Sequence, residues 1–567
     1  MVNPRQKRKQ KTDTEKCLKK IRDSLPRHVC EVELSVLPWQ EWKLTRMGEQ
    51  LRLIRNTVLG QALKRYRQMT RTKEHKRLFK QFRNLCEQIE KTKDPKKLQE
   101  LTHSKKEISK QLEQLRNKHE VTYEYIRKYG EYLRKNKFSL PDAVTVLSIC
   151  EMVWHSIEGL LYRGSKKVHF YKASEMVTFQ GKQDNRCIIL KQKPKGKGFA
   201  VKFNNMEMPV IFKNKDLYIQ ETFANIAEYM KNSAKIDKKN ILRYQAGLPL
   251  IHTYRICNNR IVRREIRGKI RYYLQIVLEG SPVIKRKKDG SFRHSLGVGR
   301  VAEDIGIQSS AVTTKDKVIL KNFAERSSHT FDYERKIYLL QRYLDRSMRA
   351  SNPQNYDEKG RIKKGKKTWV FTKRYRKALI KFRELHRKAA ASRKYAHNED
   401  INYLRSLGDE LIIEVMDIKA LQKKAKKDTI NEKTGKHNRR KRFGKSISKR
   451  SPGYNIKQSK YKFETTGGTV KEVNKWTFKA SQYDHVLDVT IKKPLSQRWH
   501  ILPDGTKVQR DIYSSFLLYC TNEDLTVPDK KLCDEYFEKF LEMHDQCIAD
   551  IIQNRKVVMN SGIKLPA

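Results

Sequence analysis

Three acidic residues stand where a carboxylate could do chemistry. Asp304 closes the run Gly299-Arg300-Val301-Ala302-Glu303-Asp304-Ile305-Gly306-Ile307, Glu414 ends Leu411-Ile412-Ile413-Glu414, and Asp511 opens a helical segment in Lys507-Val508-Gln509-Arg510-Asp511-Ile512-Tyr513. The first two interrupt or end short aliphatic runs, which read as buried strands delivering an acid to their ends. Acids beside an apolar core are unfavourable unless a cation or hydrogen bonds compensate them. Oxygen-only ligands suit magnesium, a hard ion that keeps waters and substrate phosphates in its shell. Two such ions about 3.5–4 Å apart activate a water and stabilise a leaving 3′ oxygen in phosphodiester hydrolysis. No His or Cys sits in these segments to suggest zinc or iron. Yet the chain has 63 acidic residues, so three picked by position can equally be ordinary paired acids, and Glu303 and Asp417 are alternative ligands.

The elements that must carry these acids fill the C-terminal half. Val298 to Ile305 and Ser309 to Thr314 read as a hairpin, with Lys317-Val318-Ile319-Leu320 as a third strand and an amphipathic helix from Asp332 to Arg346. Arg361 to Lys394 carries 15 Lys and Arg against one acid, Glu384, interleaved with Trp369, Phe371, Tyr375 and Phe382. Such aromatics suit stacking on bases or packing under a basic surface. Lys419 to Arg450 carries 14 Lys and Arg and two acids, Asp428 and Glu432, with too little apolar content to fold alone. A mobile loop that orders on nucleic acid is expected there.

In the N-terminal half, a basic arm precedes a strand at Cys30 to Leu37. Trp39 to about Tyr162 is helical, including a hairpin or short coiled coil with an Asp94-Pro95 start. Alternating strands follow at Val168–Tyr171, Cys187–Leu190, Phe199–Phe203, Val210–Phe212 and Ile270–Leu278. With the strand near residue 34, these are expected to close a small barrel into which the helices are inserted.

Composition names the partner class. With 125 Lys and Arg against 63 Asp and Glu, the chain carries +62, spread from end to end. Self-repulsion of that size is relieved by a bound polyanion, and nucleic acid is the expected one. Nine cysteines without a close pair argue against a disulfide framework and for a reducing compartment. No apolar run approaches the roughly 18–20 residues of a membrane span, and no membrane partner is expected.

At these residues the chain resembles the TnpB family of RNA-guided nucleases and its descendants, the type V CRISPR effectors. Asp304-Ile305-Gly306 is similar to that family's first RuvC motif, Ile412-Ile413-Glu414 with Asp417-Ile418-Lys419 to the second, and Arg510-Asp511 to the third. Ser451-Pro452-Gly453-Tyr454, Tyr461-Lys462 and Val470-Lys471-Glu472-Val473 are similar to the segment between the second and third. The resemblance implies that Asp304, Glu414 and Asp511 hold two magnesium ions, and that Arg510 lies against the scissile phosphate or the active-site loop. It implies guide RNA as a partner and double-stranded target DNA chosen by base pairing after a short flanking motif is read. It also implies a multidomain α+β fold. A basic arm would occupy 1–29, a wedge-like β-barrel 30–38 with 164–285, and a helical recognition lobe 39–163. A RuvC-type, RNase H-like α/β nuclease domain would occupy 286–478 with 506–567.

One departure stands out: the family's Cys-x-x-Cys pairs are missing between its second and third motifs, since no cysteine lies between Cys257 and Cys520. The segment 479–505 takes their place, either as a metal-free loop packed around Trp499 or with zinc held by His485 and His500 and carboxylates; zinc is not expected. A monomer in the prokaryotic cytoplasm, on the nucleoid, is the expectation. The competing readings are a guided DNA-binding repressor without nuclease activity and an RNA-binding structural protein.

Overall fold

The structure is a computed structural model that describes residues 13–566 apart from 93, 182–184, 195–197, 214–215, 252–253, 324–329, 424–427, 431–434, 436, 438–442 and 495. The chain forms two compact units, Met1–Val283 and Ile284–Ala567.

Unit 1 runs α1 (Asp13–Ser24), β1 (Arg27–Leu34), α2 (Pro38–Arg71), α3 (Lys73–Lys91), α4 (Pro95–Lys118), α5 (Tyr123–Lys137), α6 (Ala143–Tyr162), β2 (Thr178–Gln180), β3 (Ile189–Gln192), β4 (Phe199–Phe203), β5 (Met206–Ile211), α7 (Leu217–Gln245), β6 (Arg255–Ile266) and β7 (Lys269–Glu279). The arm expected over 1–29 is thus helical in its second half and passes into β1; residues 1–12 lie outside the described residues. Pro38 opens α2, and Gln40 Oε1 accepts the Leu37 N–H at 2.9 Å. Leu44, Met47, Leu51, Ile54 and Val58 recur at three-four spacing along α2 and are all buried. Asp94 caps α4 by accepting the Lys96 N–H. By length and composition α6 could cross a membrane, contrary to the sequence reading. Its Val146, Ile149, Val153 and Ile157 instead lie in the unit's core.

The seven strands form one antiparallel sheet in the order β2-β6-β7-β1-β5-β4-β3. No ladder among the described residues joins its edge strands β2 and β3. They meet through Asn259 of β6, whose side-chain amide donates to Asn185 Oδ1 and to the Ile188 carbonyl just before β3. Residues 168–171 are not a strand: Arg55, Asn56 and Arg52 side chains take the His169 and Tyr171 carbonyls that a ladder would have used.

Unit 2 contains β8 (Arg300–Ile305), β9 (Ser309–Thr314), β10 (Lys317–Asn322), α8 (Thr330–Ser351), α9 (Lys373–Leu407), β11 (Glu410–Glu414), α10 (Ile418–Leu421), α11 (Gly444–Arg450), α12 (Pro452–Thr465), β12 (Thr469–Val473) and α13 (Lys475–Phe478). Two hairpins follow, β13 (Tyr483–Asp484) with β14 (Val489–Thr490) and β15 (Trp499–Ile501) with β16 (Lys507–Gln509), then α14 (Arg510–Tyr519) and α15 (Lys530–Gln553). Part of the loop expected between Lys419 and Arg450 (424–427, 431–434, 436 and 438–442) lies outside the described residues, and its ends are α10 and α11.

The five-stranded sheet has the order β10-β9-β8-β11-β12, antiparallel through β10, β9 and β8 and parallel through β8, β11 and β12. Both faces are covered. On one, Ala302, Ala311 and Ile412 share a core with Ile512, Tyr513 and Phe516 of α14 and Phe540 of α15. On the other, Val301, Ile305, Leu411 and Ile413 pack with Leu404 of α9 and Phe463 of α12.

Candidate active site

Strand parity aims the first two acids. Side chains alternate faces along a strand, so Asp304 shares its face with Ala302, and Glu414 with Ile412; that is the face covered by α14. β8 and β11 run parallel, with Glu410 opposite Arg300 and Ile413 opposite Glu303. One step further along this register, Glu414 stands beside Asp304 at the carboxyl ends of neighbouring strands. The other ends are held by the Glu410 carboxylate, ion-paired to Arg300 of β8 and Lys471 of β12.

The third acid comes from the first turn of α14. Gln509 fixes where that helix starts: its Oε1 caps the Ile512 N–H at 2.8 Å, its Nε2 donates to the Ser561 carbonyl, and its backbone N–H donates to His544 Nε2 at 2.9 Å. Asp511 therefore projects from the positive end of a helix packed against β8, β9 and β11. Its Oδ1 lies 3.4 Å from an Arg510 guanidinium nitrogen.

The charges of the other two acids reach Asp304. The Asp304 carboxyl is held well above its usual range, first by burial and then by the charges of Asp511 and Glu414, against a smaller opposing pull from Arg510. Burial also pushes Glu414 up, opposed by Lys475. Neither the Asp304 nor the Glu414 side chain has a hydrogen-bond or ion-pair partner among the described residues. Asp304 feels both other acids, but the three are not closed up around a single point: among the described residues no three His, Cys, Asp or Glu side chains are grouped as ligands of one ion. Repelling, half-buried, oxygen-only donors are the kind of set a hard dication would relieve.

The alternative acids are placed elsewhere. Glu303 points to the opposite face, fully buried near Lys321 and Asp400, and Asp417 caps α10 by accepting the Ala420 N–H at 2.9 Å. Arg510 lies against the loop before β15, donating to the Gln497 carbonyl at 3.1 Å, while its N–H bonds the Arg498 carbonyl.

Two cations escaped the sequence reading. Burial, and then the charge of Arg510, lower the Arg498 guanidinium, opposed by Asp511, and the charge of Lys475 reaches Glu414. Lys475 follows β12, the strand paired with β11, after the single residue Asn474, a position readable once β12 is recognised. Nothing local distinguishes Arg498.

In the segment 479–505, His485 and His500 do not meet as ligands; they flank Tyr513 of α14. His500 stacks on the phenol ring, centroids 4.9 Å apart, with Nε2 3.0 Å from Asp484 Oδ2. His485 Nδ1 lies 2.6 Å from the Tyr513 hydroxyl. The loop is thus built on Tyr513, while Trp499, the expected centre, lies against His544 and donates to the Gly562 carbonyl at 3.2 Å. Of the aromatics in the basic stretch 361–394, Trp369 packs on Tyr356, Phe371 on Tyr375 and Phe382 on His386.

No protein-family model matches the sequence, and no curated protein matches it. Among solved structures, the chain is similar to a Cas12f1–sgRNA–target DNA complex, with TM-score 0.38 and 10% identity over 88% of this chain and 99% of that one. It is also similar to a CRISPR–Cas12f ternary complex (TM-score 0.22, 10% identity, 88% and 84% coverage). A third likeness is to a Cas12i1 R-loop complex before target DNA cleavage (TM-score 0.26, 11% identity, 92% and 65% coverage).

Proposed function

We propose that the chain is a guide-RNA-directed DNA endonuclease that hydrolyses phosphodiesters at one RuvC-type site. The observation that carries this reading is the Asp304 carboxyl, raised by burial together with Asp511 and Glu414, at the carboxyl edge of the sheet. A three-strand antiparallel meander followed by two parallel strands supports an RNase H-like nuclease fold. Asp304, Glu414 and Asp511 are the residues that would hold two magnesium ions. When bound, the ions supply the positive charge that orients a water and the leaving oxygen on the phosphate. Asp304 and Glu414 are presented by rigid strands, and Asp511 by a capped helix, so their placement costs no reorganisation during reaction. Arg510, held by the Gln497 carbonyl beside Asp511, and Arg498, whose guanidinium feels the charge of Asp511, draw a phosphate to the acids. The excess of basic residues supports a guide RNA and target DNA as partners, held by their backbones.

The test is a magnesium-dependent cleavage assay on the RNA-bound protein, with the bound RNA sequenced to identify the target. Asp304→Ala should abolish cleavage and leave RNA-guided binding intact. Cleavage by that variant at the wild-type rate would refute the assignment.

A further inference from the structure

The side chain that the proposed chemistry leaves unexplained is Trp476. It is 75% exposed, in a four-residue turn of helix that begins just after β12. That strand is paired with β11, and its last residue, Val473, stands opposite Glu414. Trp476 is therefore three residues beyond the partner of a site acid, on the strand edge where α/β sheets bind their ligands.

The turn is not free to fold the indole away. Asn474 Oδ1 caps it by accepting the Trp476 N–H at 2.9 Å, and Phe478, two residues on, is the one that enters the core. A polar residue would meet the needs of that exposed position. Instead the chain places its largest apolar surface there, with Lys475 Nζ 5.2 Å from the ring centroid and its charge felt at Glu414. An exposed indole with a cation over one face, three residues past the strand partner of a site acid, leaves its other face complementary to an unpaired base on a negatively charged backbone. It does not suit a duplex, whose bases are already stacked.

We infer that Trp476 is a stacking platform for one unpaired nucleobase of the strand being cut, with Lys475 facing the adjoining phosphate. This deepens the nuclease reading and rests on it: the strand at the acids is positioned by a base as well as by its phosphate. Trp476 is a positioning residue and touches no reacting atom.

Two experiments on the full-length, RNA-bound protein decide this. In the first, abasic sites are walked across the cleaved strand near the cut. Trp476→Ala should lower kcat/KM about ten-fold, mainly through KM, with Trp476→Phe keeping most of the activity. One abasic position should cost the wild type as much and cost Trp476→Ala nothing more. Penalties that add at every position, or a Trp476→Ala protein within two-fold of wild type, would overturn the proposal. In the second, single-stranded oligodeoxynucleotides carrying 5-iododeoxyuridine are photo-crosslinked to the Asp304→Ala protein and the adduct is mapped by mass spectrometry. An adduct on Trp476 is expected, and adducts only elsewhere would refute stacking. Because this readout needs no turnover, failure of the nuclease reading and failure of the stacking reading give different results.

Discussion

Thr313 donates its hydroxyl hydrogen to Ser515 Oγ across 2.7 Å, both side chains fully buried. The direction is fixed because the Ser515 hydroxyl already donates to the Ile512 carbonyl at 2.8 Å. This bond ties β9 to α14, the helix that carries Asp511. Ser515→Ala leaves a buried hydroxyl on Thr313 without its acceptor and should cost about 1–3 kcal/mol. Thr313→Val should cost about 1 kcal/mol. Denaturant midpoints measure both, and cleavage should fall in kcat rather than in nucleic-acid affinity, since only the position of Asp511 is loosened.

The Asp304 carboxyl is buried beside the charges of Asp511 and Glu414, an arrangement that costs the fold stability. In chelator, Asp304→Asn should raise the unfolding free energy by about 1 kcal/mol, as is common where a site's strained charge is removed. Added magnesium should raise the Tm of the wild type by binding only the folded state, and should do little for the variant. Thermal unfolding with and without the ion checks both, independently of cleavage.

Arg510 bonds the loop carbonyl of Gln497 and faces Asp511. Arg510→Ala should reduce kcat roughly a hundred-fold, the scale of losing one preorganised donor. Lysine, which lacks the planar fork, should restore only part of it. Single-turnover cleavage with guide-bound protein is the measurement.

Gly408 lies where β8 and β11 begin. A Cβ there would meet the Gly299 carbonyl and, at 2.7 Å, a methyl of Val301. Gly408→Ala should therefore push the two acid-bearing strands apart and destabilise the unit by about 1–3 kcal/mol. Unfolding by urea and loss of cleavage should track one another.

The acids could be picked out because each strand shows itself as an aliphatic run ended by a carboxylate. Parity along those runs already contains the common face, Ala302 with Asp304 and Ile412 with Glu414. Where the reading stopped, the cause is that placement depends on distant chain. Trp476 and Arg498 sit in short turns whose location follows from the registers of β12 and of the β15–β16 hairpin, not from their neighbours. The helix α7 was missed because its apolar period, Phe223, Ile226 and Tyr229, is broken at Asn232, where φ is −121° and the helix kinks. Val168–Tyr171 alternates like a strand, but Arg55 and Asn56 satisfy its backbone. The expectation of a loop packed around Trp499 overlooks Tyr513, which only the tertiary fold brings between His485 and His500.

Lys462 gives a pH signature. Burial, and then the charge of Lys285, lower its ammonium from 10.5 to about 8, although Nζ donates to the Asn398 carbonyl and to Asn402 Oδ1. Between those two values the unfolded chain holds the proton and the folded chain has released it, so this residue's contribution to stability rises with pH across that window. Below pH 8 its full penalty applies. Lys462→Met should remove the rise, seen as a smaller difference between urea midpoints measured at pH 8 and pH 10 than in the wild type.

Because α14 is the last of the three acid-bearing elements to leave the ribosome, a nascent chain that has emerged only as far as β12 carries two acids and no centre. Completing it requires the apolar side of α14, with Ile512 and Phe516, to close over the sheet. On the proposed nuclease reading, the order of synthesis therefore acts as a safety catch: an unfinished polypeptide lacks the third acid that cleavage would require.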